Sequence, residues 1–200
     1  VQAKVFADAA LGSGNWYQTG IDLETYNETH DEREIGIQLT QQGVRALIPD
    51  HDDWSNTIES GYDEYGAEEA YLRIRHVASA RTLYLEYELD GDTNGWDWDT
   101  LMTFNMETGA GTNASGQTFQ TTSWGAMGQP SEYMNLEIEA YTDDVGTQAG
   151  QLGFDEIIVA KGSSAANEGL IPGPTSFVGI VKTDAVTGIG SSSATATATL

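Results

Sequence analysis

Residues 82–104, TLYLEYELDGDTNGWDWDTLMTF, constrain the fold more than any other stretch. Leu83, Leu85, Tyr87 and Leu89 alternate with Tyr84, Glu86 and Glu88, which is the period of a strand buried on one face. The next segment, Asp90-Gly91-Asp92-Thr93-Asn94-Gly95, is a turn that holds an Asp-Gly and an Asn-Gly, two strong hairpin signals. Trp96, Trp98, Thr100, Met102 and Phe104 then resume the alternation. Such a segment commits the chain to antiparallel pairing, because a slip of one residue in either strand would turn its apolar set outward.

The same period recurs elsewhere. Ile35, Ile37 and Leu39 alternate with Gly36 and Gln38; a Gln41-Gln42-Gly43 turn leads into Val44, Ala46 and Ile48, and Pro49 ends that strand. In the strand 70–77, Leu72, Ile74 and His76 face one way and Tyr71, Arg73, Arg75 and Val77 the other, so His76 is expected in the core. Residues 78–81 form a tight turn. Residues 133–142 and 152–160 are further strands, with Met134, Leu136, Ile138 and Ala140 on one face. Residues 4–7 and 17–23 read as two short strands around a Gly12-Ser13-Gly14-Asn15 turn. The polar stretch 50–69 reads as a surface loop with a short strand near 54–58, and 107–131 as a loop with a weak strand at 118–122. No stretch has a helical period. The pattern predicts an all-β, antiparallel β-sandwich of the jelly-roll kind over residues 1–161.

Residues 162–174 have the small, polar, proline-containing composition of a linker. Residues 175–200 are strand-like and end in GIGSSSATATATL. This tail has too little apolar surface to fold alone. It is expected to be held by something else, most simply a neighbouring subunit through strand addition.

Charge narrows the function classes. There are 31 acidic residues against 8 basic ones, a net charge of −23 at pH 7. A chain this acidic repels nucleic acid and anionic membranes. Two settings fit: an exposed protein outside the cell or on a virion, or work in high salt, where ions screen self-repulsion. Cysteine is absent, which removes disulfides, thiolate catalysis and Cys-based zinc sites. No apolar run is long enough to span a membrane as a helix, and no signal peptide is visible. The chain starts at Val1 rather than Met, which suggests processing or truncation.

The runs YLRIRHVASARTLYLEYELDGDTNGWDW, YMNLEIEAYTDD and LGFDEIIV together resemble the concanavalin A-like lectin/glucanase superfamily, in its laminin-G-like form. The resemblance is carried by Arg73 and Arg75, the strand from Leu83 to Tyr87, Asp90-Gly91, Trp96 or Trp98, the strand from Leu136 to Tyr141, and Phe154-Asp155-Glu156-Ile157. It covers roughly residues 15–160. It implies a jelly-roll sandwich whose relatives include lectins, adhesins, glycoside hydrolases, polysaccharide lyases and structural modules.

Several groups are candidates for chemistry. Glu86, Glu88 and Asp90 fall at i, i+2 and i+4 and share a strand face. In hydrolases of the family, paired carboxylates on one strand act as acid and nucleophile about 5–5.5 Å apart. Here the Glu-Ile-Asp-x-x-Glu run is absent, and the competing reading is an exposed face on which Glu86 and Glu88 pair with Arg73 and Arg75. Asp90, Asp92 and Asn94 with Gly95 match the first half of an EF-hand-like calcium loop, which Asp97 or Asp99 would have to complete. Tyr71, Arg73, Arg75, Trp96 and Trp98 form a candidate glycan-binding group, aromatic faces with hydrogen-bonding neighbours. His51 with Asp50, Asp52 and Asp53, and His30 with Asp31 and Glu32, are expected by chance in so acidic a chain. Asn27-Glu28-Thr29 and Asn113-Ala114-Ser115 are glycosylation sequons.

These readings point to a non-enzymatic structural or binding subunit of an exposed assembly: a virion coat, decoration or tail component, or an extracellular filament. It would contact neighbours through its tail, and glycans on its surface. The alternative is a secreted polysaccharide-binding domain, with a lyase or glycosidase third.

Overall fold

Alternating apolar and polar residues become two antiparallel sheets. A computed structural model describes residues 1–7, 16–26, 32–49, 57–91, 96–121, 133–142, 151–160, 177–181 and 194–199. The strands are β1 (Gln2–Ala7), β2 (Tyr17–Tyr26), β3 (Glu32–Thr40), β4 (Gly43–Ile48), β5 (Ile58–Glu59), β6 (Glu69–Val77) and β7 (Thr82–Glu88). They continue as β8 (Asp99–Asn105), β9 (Ala110–Asn113), β10 (Thr118–Gln120), β11 (Tyr133–Thr142), β12 (Leu152–Ala160), β13 (Phe177–Val181) and β14 (Ala194–Thr199). An eight-stranded sheet has the order β10-β9-β8-β7-β6-β1-β12-β13, and a six-stranded sheet the order β14-β11-β2-β3-β4-β5. The protein is an antiparallel β-sandwich. Among the described residues there is no helix, and so none to cross a membrane.

The core lies between the inner faces. Ile21, Ile35, Ile37 and Leu39 of one sheet face Val5, Leu72, Leu85, Met102 and Phe104 of the other, all fully buried. Burying each large side chain is worth about 1.5–3 kcal/mol, so this layer dominates stability. Among the described residues, polar contacts also join the two sides: the Thr19 hydroxyl donates to the Gly153 carbonyl at 3.0 Å, and the Tyr87 hydroxyl donates at 3.0 Å to Asp63, which is bridged to β4.

Four expectations need correction. The strands 4–7 and 17–23 are not partners: β1 pairs with β6 and β12, and β2 pairs with β3 and β11 in the other sheet. Residues 110–113, expected as loop, form β9, whose Ala-Gly-Thr-Asn has no apolar alternation and is held by pairing with β8 and β10. His76 is exposed near the end of β6, where the core stops, rather than buried. The alternation from Trp96 to Phe104 is also broken. Leu85 pairs with Met102 but Glu86 with Thr100, so Leu101 is the extra residue of a bulge. Met102 and Phe104 point into the core, whereas Thr100 and the residues before it in step belong to the outer face.

Candidate functional site

The bulge at Leu101 puts Trp96 and Trp98 on the outer face of the eight-stranded sheet, beside the charged residues of β6 and β7. There the structure brings together most of the residues singled out in the sequence. Arg73 on β6 lies directly opposite Glu86 on β7, and Arg75 lies one diagonal step away. Arg73 Nε donates to Glu86 Oε2 at 2.8 Å; Arg75 Nε donates to the same oxygen at 3.0 Å, and Arg75 Nη2 to Oε1 at 2.6 Å. Glu86 and Arg73 are each 2% exposed and Arg75 9%. The pairing of Glu86 with the two arginines matches the expectation; the pairing of Glu88 with them and the exposed face do not. Glu86 and Glu88 are buried, beside a cover of aromatic rings on this part of the sheet. Trp98 lies over the Arg73 guanidinium at 4.0 Å and Tyr84 over Arg75 at 4.3 Å. Trp96 stacks on Trp98, centroids 5.4 Å apart, and meets Tyr71 edge-on at 4.8 Å.

Glu88 fixes that cover. Its Oε1 accepts the backbone N–H groups of Leu89 and Asp90 at 2.9 and 3.1 Å, and its Oε2 accepts that of Asp97 at 2.8 Å. One carboxylate thus ties together both ends of the turn. Gly91, at φ +63°, is required on the same side: a Cβ there would stand 3.1 Å from the Tyr71 ring. Glu86 is bound by two arginines and Glu88 by three amides, so both oxygens of each candidate catalytic carboxylate are already engaged. Of the expected calcium loop, Asp90 and Asp97 are exposed, and Asp92 and Asn94 lie outside the described residues. His30, Asp31, Asp50, His51, Asp52, Asp53 and the Asn27 sequon also lie outside them. The Asn113 amide is engaged in the β9–β10 turn, accepting from Gln117 N at 3.0 Å.

A second group escaped the sequence reading. On the outer face of the six-stranded sheet, a depression of about 150 Å³ is lined by Gln18, Asp22, Glu24, Glu34, Gln38, Arg45, Leu47, Glu137 and Glu139. β11, β2 and β3 are neighbours, so their outward rows meet: Glu139 lies opposite Gly20, and Asp22 lies between Glu137 and Gly36. Asp22 is 3% exposed. Burial, reinforced by the charges of Glu139 and Glu34, raises its carboxyl well above the ordinary range. Burial also raises Glu139, partly opposed by the hydrogen bond from the Gln18 amide. Each strand shows acidic residues at alternate positions. Only the strand order β11-β2-β3 reveals that these rows converge.

Comparison with protein-family models, with curated proteins and with solved structures gives no match.

Both clusters can be probed through stability. Glu86→Gln leaves two buried guanidinium groups facing a neutral amide and should cost about 3–5 kcal/mol in urea unfolding; a loss below about 1 kcal/mol would show the triad to be energetically exposed. For Asp22 the folded pKa lies above the unfolded one. Its contribution is therefore fully present below the ordinary value of 3.8 and is lost as pH rises through the raised value. The groups facing it are Glu24, Glu34, Gln38, Arg45, Glu137 and Glu139. In metal-free buffer, acidification from neutral pH should favour the wild type over Asp22→Asn. Parallel stability–pH profiles for the two would contradict the assignment.

Proposed function

We propose that this protein is a non-enzymatic structural subunit of an exposed assembly, joined to its neighbours by exchange of its C-terminal strands. The observation that carries this reading is where those strands lie. β13 is the outermost strand of the eight-stranded sheet, on β12, and β14 the outermost strand of the six-stranded sheet, on β11. A single tail thus closes one edge of each sheet. Unpaired edges of this kind are templates for another chain's strand.

The tail is built for exchange. Antiparallel neighbours need a turn of only about 2–5 residues, yet residues 161–176 separate β12 from β13. A connection of that length, stretched out, would span about 50 Å, far more than adjacent strands need. β14 brings Ala194, Ala196 and Ala198 to the register rows of Ala140, Ile138 and Leu136. A ladder of this kind is equally available from another copy. The large apolar side chains exposed among the described residues are Tyr62, Tyr65 and Tyr141. A backbone-mediated contact therefore suits this surface better than an apolar patch. The engagement of Glu86 and Glu88 by arginines and backbone amides supports a role without catalysis.

Glycan binding is the second reading, favoured by the Trp96 and Trp98 indole N–H groups, which are buried without a hydrogen-bond partner.

Removing residues 175–200 should abolish higher-order assembly in light scattering while the remaining sandwich keeps its β-sheet circular dichroism. Assembly at wild-type levels in the shortened chain would refute strand exchange.

A further inference from the structure

Among the described residues the two sheets end in four edge strands: β10 and β13 in one, β5 and β14 in the other. An edge pairs with other chains unless shortness, charge, proline or a bulge blunts it. β5 is two residues long, and its Glu59 is ion-paired with Arg45. β10 has three residues, of which Thr118 and Gln120 are exposed and polar, and the Gln120 amide donates back to the Thr108 and Thr121 carbonyls. β13 is of another kind. Phe177-Val178-Gly179-Ile180-Val181 holds no charge, no proline and no polar side chain. Val181 is the register partner of Ile157, which is 3% exposed and belongs to the core row; Ile180 is the partner of Ile158 in the outer row. Apolar residues thus occupy both rows of β13. That is the pattern of a strand inside a sheet, not of one at its edge.

Charge points to the same side of the sandwich. With a net charge of −23, two copies repel each other over most of their surface. From Gly169 to Leu200 the sequence has one carboxylate side chain, Asp184, and Lys182 offsets it. β11 and β12 meet across the sandwich, so β14 and β13, which pair with them, lie on one side of it. This nearly neutral side is where a second copy can approach with least repulsion.

We propose that β13 pairs edge to edge with β13 of a second copy, antiparallel and about a twofold axis, so that the eight-stranded sheet continues from one sandwich into the next. Such a contact is isologous, the same strand serving both copies. With the axis normal to the sheets, β14 is brought toward its own counterpart as well. The inference goes beyond strand exchange and does not depend on it. Exchange concerns which copy supplies the strand beside β12; edge pairing concerns what lies on the far side of that strand. A five-residue ladder is a small contact, and in an assembly it gains strength by acting together with a second one.

The test uses the absence of cysteine from the chain. Five full-length single variants, Phe177→Cys, Val178→Cys, Gly179→Cys, Ile180→Cys and Val181→Cys, are oxidised at high protein concentration and run on non-reducing gels. Opposed residues of an antiparallel pair have Cα atoms about 4.5–5.5 Å apart, within reach of a disulfide. A twofold pair sets the position nearest the axis beside its own copy. One or two adjacent variants should therefore give a disulfide dimer in large excess over the others. They should also exceed Ser115→Cys, in the exposed turn before β10, and Thr118→Cys on β10 itself. Exchange alone gives no such band, because it sets β13 beside β12, which has no cysteine; Glu137→Cys combined with Thr197→Cys reads exchange separately. Circular dichroism selects the variants that keep their sheet, and five adjacent positions leave the scan readable if one does not. The proposal fails if all five stay monomeric, whatever the exchange result. It fails equally if dimer yield is uniform along β13 or is matched by Ser115→Cys or Thr118→Cys, which marks collision rather than pairing.

Discussion

The pairing of Arg73 with Glu86 sets the register on which the eight-stranded sheet depends. A slip of one residue between β6 and β7 would carry a charged row toward the core and the Leu72–Ile74 row out of it. The register also determines the course of the chain beyond β7. With Glu86 outside and bound, the bulge at Leu101 keeps Thr100 in the outer row while Met102 and Phe104 return to the core. Trp98 comes to rest on Arg73, and Glu88 gathers the amides at the start and end of the turn. The buried charges, the aromatic cover and the turn are therefore one unit. Its value lies more in specificity than in net stability, since a buried ion pair only partly recovers its desolvation cost.

The two sheets handle buried acid differently. On the eight-stranded sheet Glu86 has two arginines and Glu88 three amides. On the six-stranded sheet Asp22 and Glu139 share a long contact from the Gln38 amide, Glu139 also accepts from the Gln18 amide, and both stand among other carboxylates. In a chain with net charge −23, arginine is scarce, and two are committed to a single glutamate. What the chain does not neutralise itself, protons or cations from the solvent must. That links the acidity of the whole protein to one defined place on its surface.

Much of the fold was legible because its signals are local. The alternations in β3, β6, β7, β11 and β12 marked strands and faces, and the turns before Gly43 and at 78–81 fell where expected. The pairing of Arg73 and Arg75 with Glu86 was legible from the same alternation. Their burial was not, because it depends on Trp98 coming to rest over Arg73 from beyond the turn. His76 followed the apolar period yet lies past the edge of the core. β9 carries no pattern of its own and forms because β8 offers it an edge. The depression at Asp22 stayed hidden for a similar reason: Gly36 read simply as one member of the β3 alternation, whereas it makes space for a carboxylate on the neighbouring strand. Strand order is a non-local property, and outward rows on β2, β3 and β11 acquire meaning only when those strands are neighbours.

The C-terminal strands complete the architecture, since the last strands in sequence are outermost in both sheets. Whether a given sandwich is closed by its own tail or by another's is the question on which the functional account turns. Glu137 and Thr197 are register partners on β11 and β14, and the chain has no cysteine of its own. Placing a cysteine at both positions of the full chain and oxidising under assembly conditions reads the answer on a non-reducing gel. Strand exchange predicts a ladder of covalent multimers that reducing agent collapses to one band. Cross-linked species confined to the monomer would contradict it.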